Sequence, residues 1–396
     1  MRVLFTTMAL SGHFHPLVPI ARAVADAGHE VAFACQAFFR PTVEAAGFQT
    51  FPAGYDTQGR PPDTLFPGLH QHRGPEGAYW MIPNVFIGVY AATMVPDLLP
   101  LCRTWRPDLI VRETGEFGGC VAAETLGLPH ASVRTGATAA TYALRHHWTA
   151  AVAHLRERSG LPPDPDNAML FRYLHLACEP PRFVPANAAP APTAHLLRPE
   201  NFESAGEPLP PWVAGLPDRP TVYATLGTIF SALPSGRATF ATILDALRDE
   251  PYNLILTVGR GNDPDQFGPQ SPNVHIAQYI PQSRLLPHCD LVVNQGGFST
   301  VTGALNAGLP MVVVPLGADQ PLNAACCATL GVGRVVEPEE RTPEAIRAAV
   351  RAVLADPAYR TKAERVRDEM AALPGPERAV ELLERLAVER RPILAS

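Results

Sequence analysis

Two places in this sequence have residues suited to chemistry. The stretch NQGGFSTVTGALNAGLP, Asn294 to Pro310, follows the apolar run Leu291-Val292-Val293. A strand that ends in two glycines and two hydroxyl residues, just where a helix starts, brings backbone N–H groups and a helix N-terminus against a ligand. Such a turn suits an anion. Gly296 and Gly297 allow close backbone approach, while Ser299 and Thr300 add hydroxyl and N–H donors. The second place is Gly12-His13-Phe14-His15-Pro16, after the apolar segment Val3–Met8. A neutral imidazole near pH 7 can remove a proton from an attacking hydroxyl. His15, two residues on, reads as a helix-start residue.

The elements that must position these residues alternate along the chain. Val3–Met8 and Glu30–Cys35 read as strands, with helices over about His15–Ala27 and from Cys35 up to Gly47. Short strands at Leu109–Val111 and Ala131–Val133 flank a further helix. This rhythm gives a parallel sheet covered on both faces. From Glu179 to Pro220 proline crowds the chain, which reads as a linker with one short strand near Ala194–Leu197. Strand-like runs then resume at Thr221–Leu226, Leu254–Val258, Val274–Tyr279, Leu291–Asn294, Met311–Pro315 and Arg334–Glu337. The expected fold is α/β, with two Rossmann-like parallel-sheet domains facing across a cleft. The divisions are 1–200, a Pro-rich linker 201–220, 221–375, and a closing helix in 376–396. Ligands of open parallel sheets bind beyond the carboxyl ends of the strands.

Length and composition narrow the function. The 396 residues suggest two domains, and the 46% hydrophobic content supports packed cores. A net charge of -6 disfavours a nucleic-acid partner, which calls for a basic surface. The seven cysteines are scattered and form no CxxC pair, which fits a reduced, cytoplasmic protein. MRVLFTTMALSGHFHP lacks a basic segment and a cleavage site of small residues, so it reads as a first strand rather than a signal peptide. Met81–Val95, interrupted by Pro83-Asn84, reads as too short for a membrane span. His70-x-His72 and His146-His147 have no second cluster at zinc-like spacing, so no metal is expected. GxGxxG and GxxxxGK[ST] are both missing, and Gly259-Arg260-Gly261 is only a loop signal.

The ordered set of motifs resembles GT-B-fold glycosyltransferases of family 1, most closely the bacterial antibiotic and natural-product enzymes of macrolide and enediyne type. Gly12-His13-Phe14-His15-Pro16 matches their GHxxP element. Arg106-Pro107-Asp108-Leu109-Ile110-Val111 with Glu113, Gly227-Thr228, YIPQSRLLPHCD (Tyr279–Asp290), the glycine turn and VVVPLGADQPLNA (Val312–Ala324) follow in order over nearly the whole chain. The resemblance implies an inverting transferase moving a sugar from a nucleotide diphosphate to a hydroxyl of a hydrophobic aglycone. It implies no cofactor, and it is compatible with a homodimer.

By the same resemblance residues 1–200 bind the acceptor, 221–375 bind the donor, and the C-terminal helix crosses back onto the first domain. His13 is the base. Glu113 stands where the family usually has an aspartate, as its partner, with Glu116 the runner-up. Gly227, Thr228, Gln295, Gly296, Gly297, Ser299 and Thr300 surround the diphosphate. Gln295 replaces a histidine common in the family, so charge-assisted help from that side chain is lost. Asp319 and Gln320 orient the sugar, and the alternative for Asp319 is a helix N-cap. Tyr279, Ile280 and Gln282 hold the base. Phe14, Trp80, Phe86, Phe117, His146 and Trp148 are candidates for an apolar acceptor pocket, under a loop at Gly68–Trp80; each is also ordinary core material. Many UDP-using relatives have a glutamate for the ribose hydroxyls where this chain has Gly303, so the expected donor is a dTDP-sugar carrying a deoxy sugar. Two other readings share the architecture. A sugar-nucleotide epimerase needs more carboxylates around the sugar than Asp319. A non-catalytic binder is opposed by the retention of His13, Glu113 and Asp319-Gln320.

Overall fold

In this computed structural model the described residues are 1–60, 62–66, 75–136, 145–183, 190–202 and 208–395. They form two units, Met1–Glu179 with Val184–Phe202 and Leu373–Ser396, and Pro180–Phe183 with Glu203–Ala372. Each unit is built on one parallel sheet.

The first sheet uses β1 (Arg2–Thr6), β2 (Glu30–Cys35), β3 (Gln49–Pro52), β4 (Leu109–Glu113), β5 (His130–Val133), β6 (Leu174–Cys178) and β7 (Ala194–Leu197), in the order β3-β2-β1-β4-β5-β6-β7. Side chains alternate across it, as a pleated strand requires. Val3 and Phe5 of β1 pack on one face with the helices Val18–Asp26 and Pro376–Glu389, while Leu4 joins the core on the opposite face. Strands β3 and β6 were not expected from the sequence, since QTFP and LHLAC mix polar with apolar residues over four or five positions.

The second sheet uses β8 (Thr221–Thr225), β9 (Asn253–Thr257), β10 (Val274–Ala277), β11 (Leu291–Asn294), β12 (Met311–Val313) and β13 (Gly333–Val335), in the order β10-β9-β8-β11-β12-β13. The first six strands of each unit therefore follow one plan. Each sheet reverses its winding direction between its first and fourth strands, β1 and β4 or β8 and β11. Loops diverge beyond the carboxyl ends at such a switch point and leave room for a ligand.

Several local expectations are corrected. The helix expected over His15–Ala27 is broken into Ser11–Phe14, a 3-10 turn His15–Leu17 and Val18–Asp26. Pro16 and Pro19 lack the N–H groups that a continuous helix would use. Pro83 does not end the helical run around it: Tyr79–Trp105 is continuous, and Ile82–Ala91 is π-helical. By length and composition that helix could cross a bilayer. It packs against the helices Gly118–Thr125 and Thr149–Arg158. The Gly68–Trp80 loop lies partly outside the described residues, as do His70 and His72, and from Pro75 the chain is helical. The proline-rich segment is not free linker throughout. Val213 is buried, and Trp212 stacks on His275 with centroids 4.5 Å apart.

The C-terminal helix Pro376–Glu389 buries Ala379, Val380, Leu382, Leu383 and Leu386 on one stripe, the spacing of an amphipathic helix. It lies on Val18–Asp26 and touches β6 and β7. At its end the Arg390 guanidinium donates to the Gly127 carbonyl at 2.6 Å.

Candidate active site

At the switch point of the first sheet, β1 leads into the helical turn Ser11–Phe14, and β4 ends at Glu113. This brings His13 Nδ1 within 3.0 Å of Glu113 Oε1. The two atoms are at ion-pair distance. Glu113 is fully buried, whereas the His13 side chain retains 23% exposure. Such an imidazole can meet a ligand while its partner stays dry.

Burial pushes the Glu113 carboxyl up. The charge and hydrogen bond of His13, the Gly115 N–H and the Thr135 hydroxyl outweigh that and hold it below the ordinary carboxylate value. Gly115 N–H donates to Glu113 Oε2 at 2.5 Å and Thr135 Oγ1 donates at 3.0 Å. Gly115 is tightly enclosed: a Cβ there would lie 3.0 Å from His13 Cε1, so the imidazole would have to give by a few tenths of an ångström. Buried Arg112 clamps the loop by donating to the carbonyls of Glu113, Thr114 and Glu116 at 3.1, 3.2 and 3.1 Å. Sequence reasoning missed Thr135, Gly115 and Arg112. The available signal was their position at strand ends.

Glu116 is not the histidine's partner. Its carboxylate accepts from Thr6 Oγ1 at 2.5 Å, from Gly118 N–H, and from Gly119 N–H at 2.8 Å, at the start of the helix Gly118–Thr125. It completes first-turn donors that the helix cannot satisfy itself. A Cβ at Gly119 would lie 2.4 Å from Thr6 Oγ1, so glycine is needed for that approach.

Of the apolar candidates, Phe86 meets the His13 ring edge-on, with centroids 6.3 Å apart. Phe14 does not belong to a pocket. It is fully buried among Phe33, Phe39 and Phe202, because the turn that presents His13 points the next side chain into the core. Phe117 and Trp148 are buried too, packed edge-on at 6.2 Å, and only Phe117 borders a narrow recess shared with Met8, Phe86 and Gly115. His146 is exposed, and Trp80 is half-buried in the long helix.

In the second unit β8 and β11 end in Gly227 and Gln295-Gly296-Gly297. The helix Phe298–Asn306 follows, as expected. Gly227 and Gly296 take positive φ of 68° and 89°, a region that favours glycine. Gln295 is wedged between two glycines: side chains at Gly227 and Gly297 would come within 2.4 and 2.6 Å of its Nε2. Its Oε1 is buried without a partner. The Asn294 carboxamide accepts from Gly296 N–H at 2.7 Å, and Asn323 Nδ2 donates to Gly296 O at 2.8 Å and to Asp319 Oδ2 at 2.9 Å. Asn323 thus ties the glycine turn to Asp319. Asp319 stands at the N-cap position of Gln320–Leu330, yet its side chain does not cap that helix. Gln320 is buried, and its Oε1 accepts from the N–H groups of Leu316 and Gly317 at 2.8 and 3.1 Å, so half of its amide braces the loop.

Ser299 is half-buried in the first helical turn, Thr300 is buried, and Thr228 is exposed. Tyr279 carries the Arg260 guanidinium over its ring at 4.1 Å. Ile280 is core, leaving only its backbone for a ligand, and Gln282 Nε2 donates to Tyr223 Oη at 3.2 Å. Gly303 is buried within its helix, which packs on Pro357–Ala371. Among the described residues no group of three or more His, Cys, Asp or Glu side chains is arranged to hold a metal.

Two α/β units of one strand plan, with a histidine–carboxylate pair at one switch point and a glycine turn at the other, define a GT-B glycosyltransferase. Residues 22–174 match the erythromycin biosynthesis protein CIII-like N-terminal domain and residues 241–386 its C-terminal domain. The chain belongs to this family of antibiotic glycosyltransferases. It is 30% identical to 10-deoxymethynolide desosaminyltransferase of Streptomyces venezuelae, over 99% of this chain and 98% of that one. It is 31% identical to 4'-demethylrebeccamycin synthase of Lentzea aerocolonigenes, over 97% and 99%. Among solved structures, glycosyltransferase SnogD from Streptomyces nogalater is similar with a TM-score of 0.78 at 29% identity, covering 98% of this chain and 99% of that one. Glycosyltransferase VinC in complex with dTDP gives 0.80 at 26%, covering 98% and 100%.

Proposed function

We propose that this enzyme is an inverting transferase that moves a deoxy sugar from a dTDP-sugar to a hydroxyl of a hydrophobic natural-product aglycone. The observation that carries this reading is His13 at 3.0 Å from a buried, ionised Glu113. The acceptor oxygen attacks the anomeric carbon from the face opposite the diphosphate. A new C–O bond forms as the bond to the phosphate oxygen breaks, and dTDP leaves with the electron pair. The hydroxyl proton passes to His13 Nε2, and Glu113 stabilises the resulting imidazolium. Gly227, Thr228, Gly296, Gly297, Ser299 and Thr300 receive the diphosphate on backbone and hydroxyl donors, and the helix dipole offsets part of its charge. That arrangement needs no metal. Asp319 and the Gln320 amide N–H face the sugar hydroxyls, and Tyr279 with the Ile280 backbone holds the base.

Gly303 supports thymidine over uridine, because it offers no side chain to a ribose 2′-hydroxyl. An unpaired buried hydroxyl costs roughly 1–3 kcal/mol. Two similar solved glycosyltransferases are complexes with thymidine diphosphate, and several relatives are named as transferases of sugars such as desosamine and daunosamine. Calorimetric titration of dTDP and UDP in one buffer tests the reading. We expect dTDP to bind about one to two decades more tightly; equal or tighter binding of UDP refutes it. All seven cysteines are buried and none is in a disulfide, which supports a reducing compartment, and we place the enzyme in the cytoplasm.

A further inference from the structure

The Gly259-Arg260-Gly261 loop stands apart from the residues assigned to the donor, yet the sheet order puts it in the donor's path. Tyr279, proposed to hold the base, follows β10. Gly227 and the Gln295 turn, proposed to receive the diphosphate, follow β8 and β11. Strand β9 lies between β10 and β8, and Arg260 follows it. Neighbouring strands lie about 4.8 Å apart. A nucleotide stretched from Tyr279 to the glycine turn therefore crosses the carboxyl end of β9.

The loop is fastened on both sides. Buried Asn262 donates from Nδ2 to the Val258 and Ser231 carbonyls at 2.6 and 2.9 Å, and its main-chain carbonyl accepts from Gln278 Nε2 at 3.0 Å. Asn262 N–H bonds back to Gly259 O at 3.0 Å. The turn so closed leaves Arg260 exposed at its tip. Its guanidinium carbon lies 4.1 Å from the centroid of the half-buried Tyr279 ring. A guanidinium held over a ring by its face keeps its N–H donors around its edge, where they suit phosphate oxygens.

The distribution of charge points the same way. Residues 226–233, 295–310 and 314–330, which contain the loops after β8, β11 and β12, hold no lysine, arginine or histidine, and Asp319 adds a negative charge there. Arg284 and His288 lie in the helical turns after Tyr279, which follow the edge strand β10. The acidic residue nearest in the Arg260 loop, Asp263, accepts from the Asp265 N–H and so faces its own turn. We propose that Arg260 is a donor-binding residue: it pairs with the diphosphate of the nucleotide sugar and supplies the cationic contact that neutral Gln295 does not. The inference rests on the nucleotide-sugar reading above and adds a residue to that site.

The test titrates the full-length protein and its Arg260→Ala variant with dTDP and UDP by calorimetry, and with thymidine by ligand-observed NMR. We expect Arg260→Ala to weaken both diphosphates by the same factor, roughly tenfold, as for the loss of a charge-assisted contact. Thymidine, which has no phosphate, should bind both proteins alike. Arg260→Lys keeps the charge but not the flat fork, and should lose less than the alanine variant. Melting curves show whether the variants are folded, and if Arg260→Ala is not, Arg260→Gln serves for the same comparison. A dTDP affinity within twofold of the unaltered protein's overturns the proposal. So does an equal loss for thymidine, which would make Arg260 a platform for the base. Because the expected loss is the same for dTDP and UDP, it stands or falls apart from the preference between them. Failure of the unaltered protein to bind either diphosphate would overturn both this proposal and the donor reading.

Discussion

Glu113 and Gln295 occupy the same position in the two sheets. Thr6 of β1 pairs with Arg112 of β4, and Thr225 of β8 pairs with Asn294 of β11; in each case the next residue is the one at the site. The two side chains are equally long and differ in charge by one unit. Glu113 is ionised, buried and held by a histidine, a backbone N–H and a hydroxyl. Gln295 is neutral, wedged between two glycines, and leaves its oxygen unpaired. On the proposed mechanism one switch point moves a proton and the other lets backbone reach an anion. The strand plan supplies the location, and the residue at the strand end sets the chemistry.

The largest effect that would break this contrast is on turnover. His13→Ala should lower kcat by roughly 10²–10⁴-fold, while nucleotide affinity holds, because His13 and the donor residues belong to different units. Glu113→Gln should lose less, since in the proposed mechanism Glu113 orients and stabilises the imidazole without taking the proton. Near-normal turnover of the alanine variant would remove the base from His13.

Acid should weaken the first unit next. Burial lowers His15 to about 4 and His175 to about 3, the latter with help from Arg134 and Arg112. Both folded values lie below the ordinary 6.5. Their contribution is therefore complete above pH 6.5 and is lost as pH falls toward 4 and 3, by up to ~1.4 kcal/mol per pH unit for each histidine. Melting temperatures from pH 7.5 to 4.5 should fall accordingly, and His175→Gln should flatten the decline. A pH-independent melting point would contradict the burial of these two rings.

Gly296→Ala should cost about 1–3 kcal/mol in dTDP binding or in stability. Its φ of 89° disfavours a side chain, and a Cβ would meet the Gln320 carbonyl oxygen at 2.9 Å. Calorimetry and melting curves read the two terms separately, and no change in either would mean that the turn is looser than it stands here. The smallest effect is at Gln295→Ala, about 1 kcal/mol in donor affinity if its amide serves the diphosphate. An unchanged dissociation constant would leave the phosphates to the backbone alone.

The order of amino acids alone carried the alternation of strands and helices, the glycine turn of the second unit and the histidine after β1. Apolar runs and glycines are local signals, and they survive any tertiary arrangement. The run Leu291–Asn294 and the helix after its two glycines were legible for that reason, and both stand where the local pattern put them. The choice of carboxylate for His13 needed the folded chain. Glu113 and Glu116 are three residues apart on one loop, and the direction of each side chain depends on Arg112, Thr6 and Thr135, two of them from other strands or their ends. The same holds for the aromatic candidates. Phe14 and Phe86 read alike as residues, but a helical turn sends one into the core, and a π-helical stretch hidden behind Pro83 brings the other to the imidazole. Periodicity reports that a side chain is apolar; what it faces is set by partners a hundred residues away, and those contacts exist only once the sheet has closed.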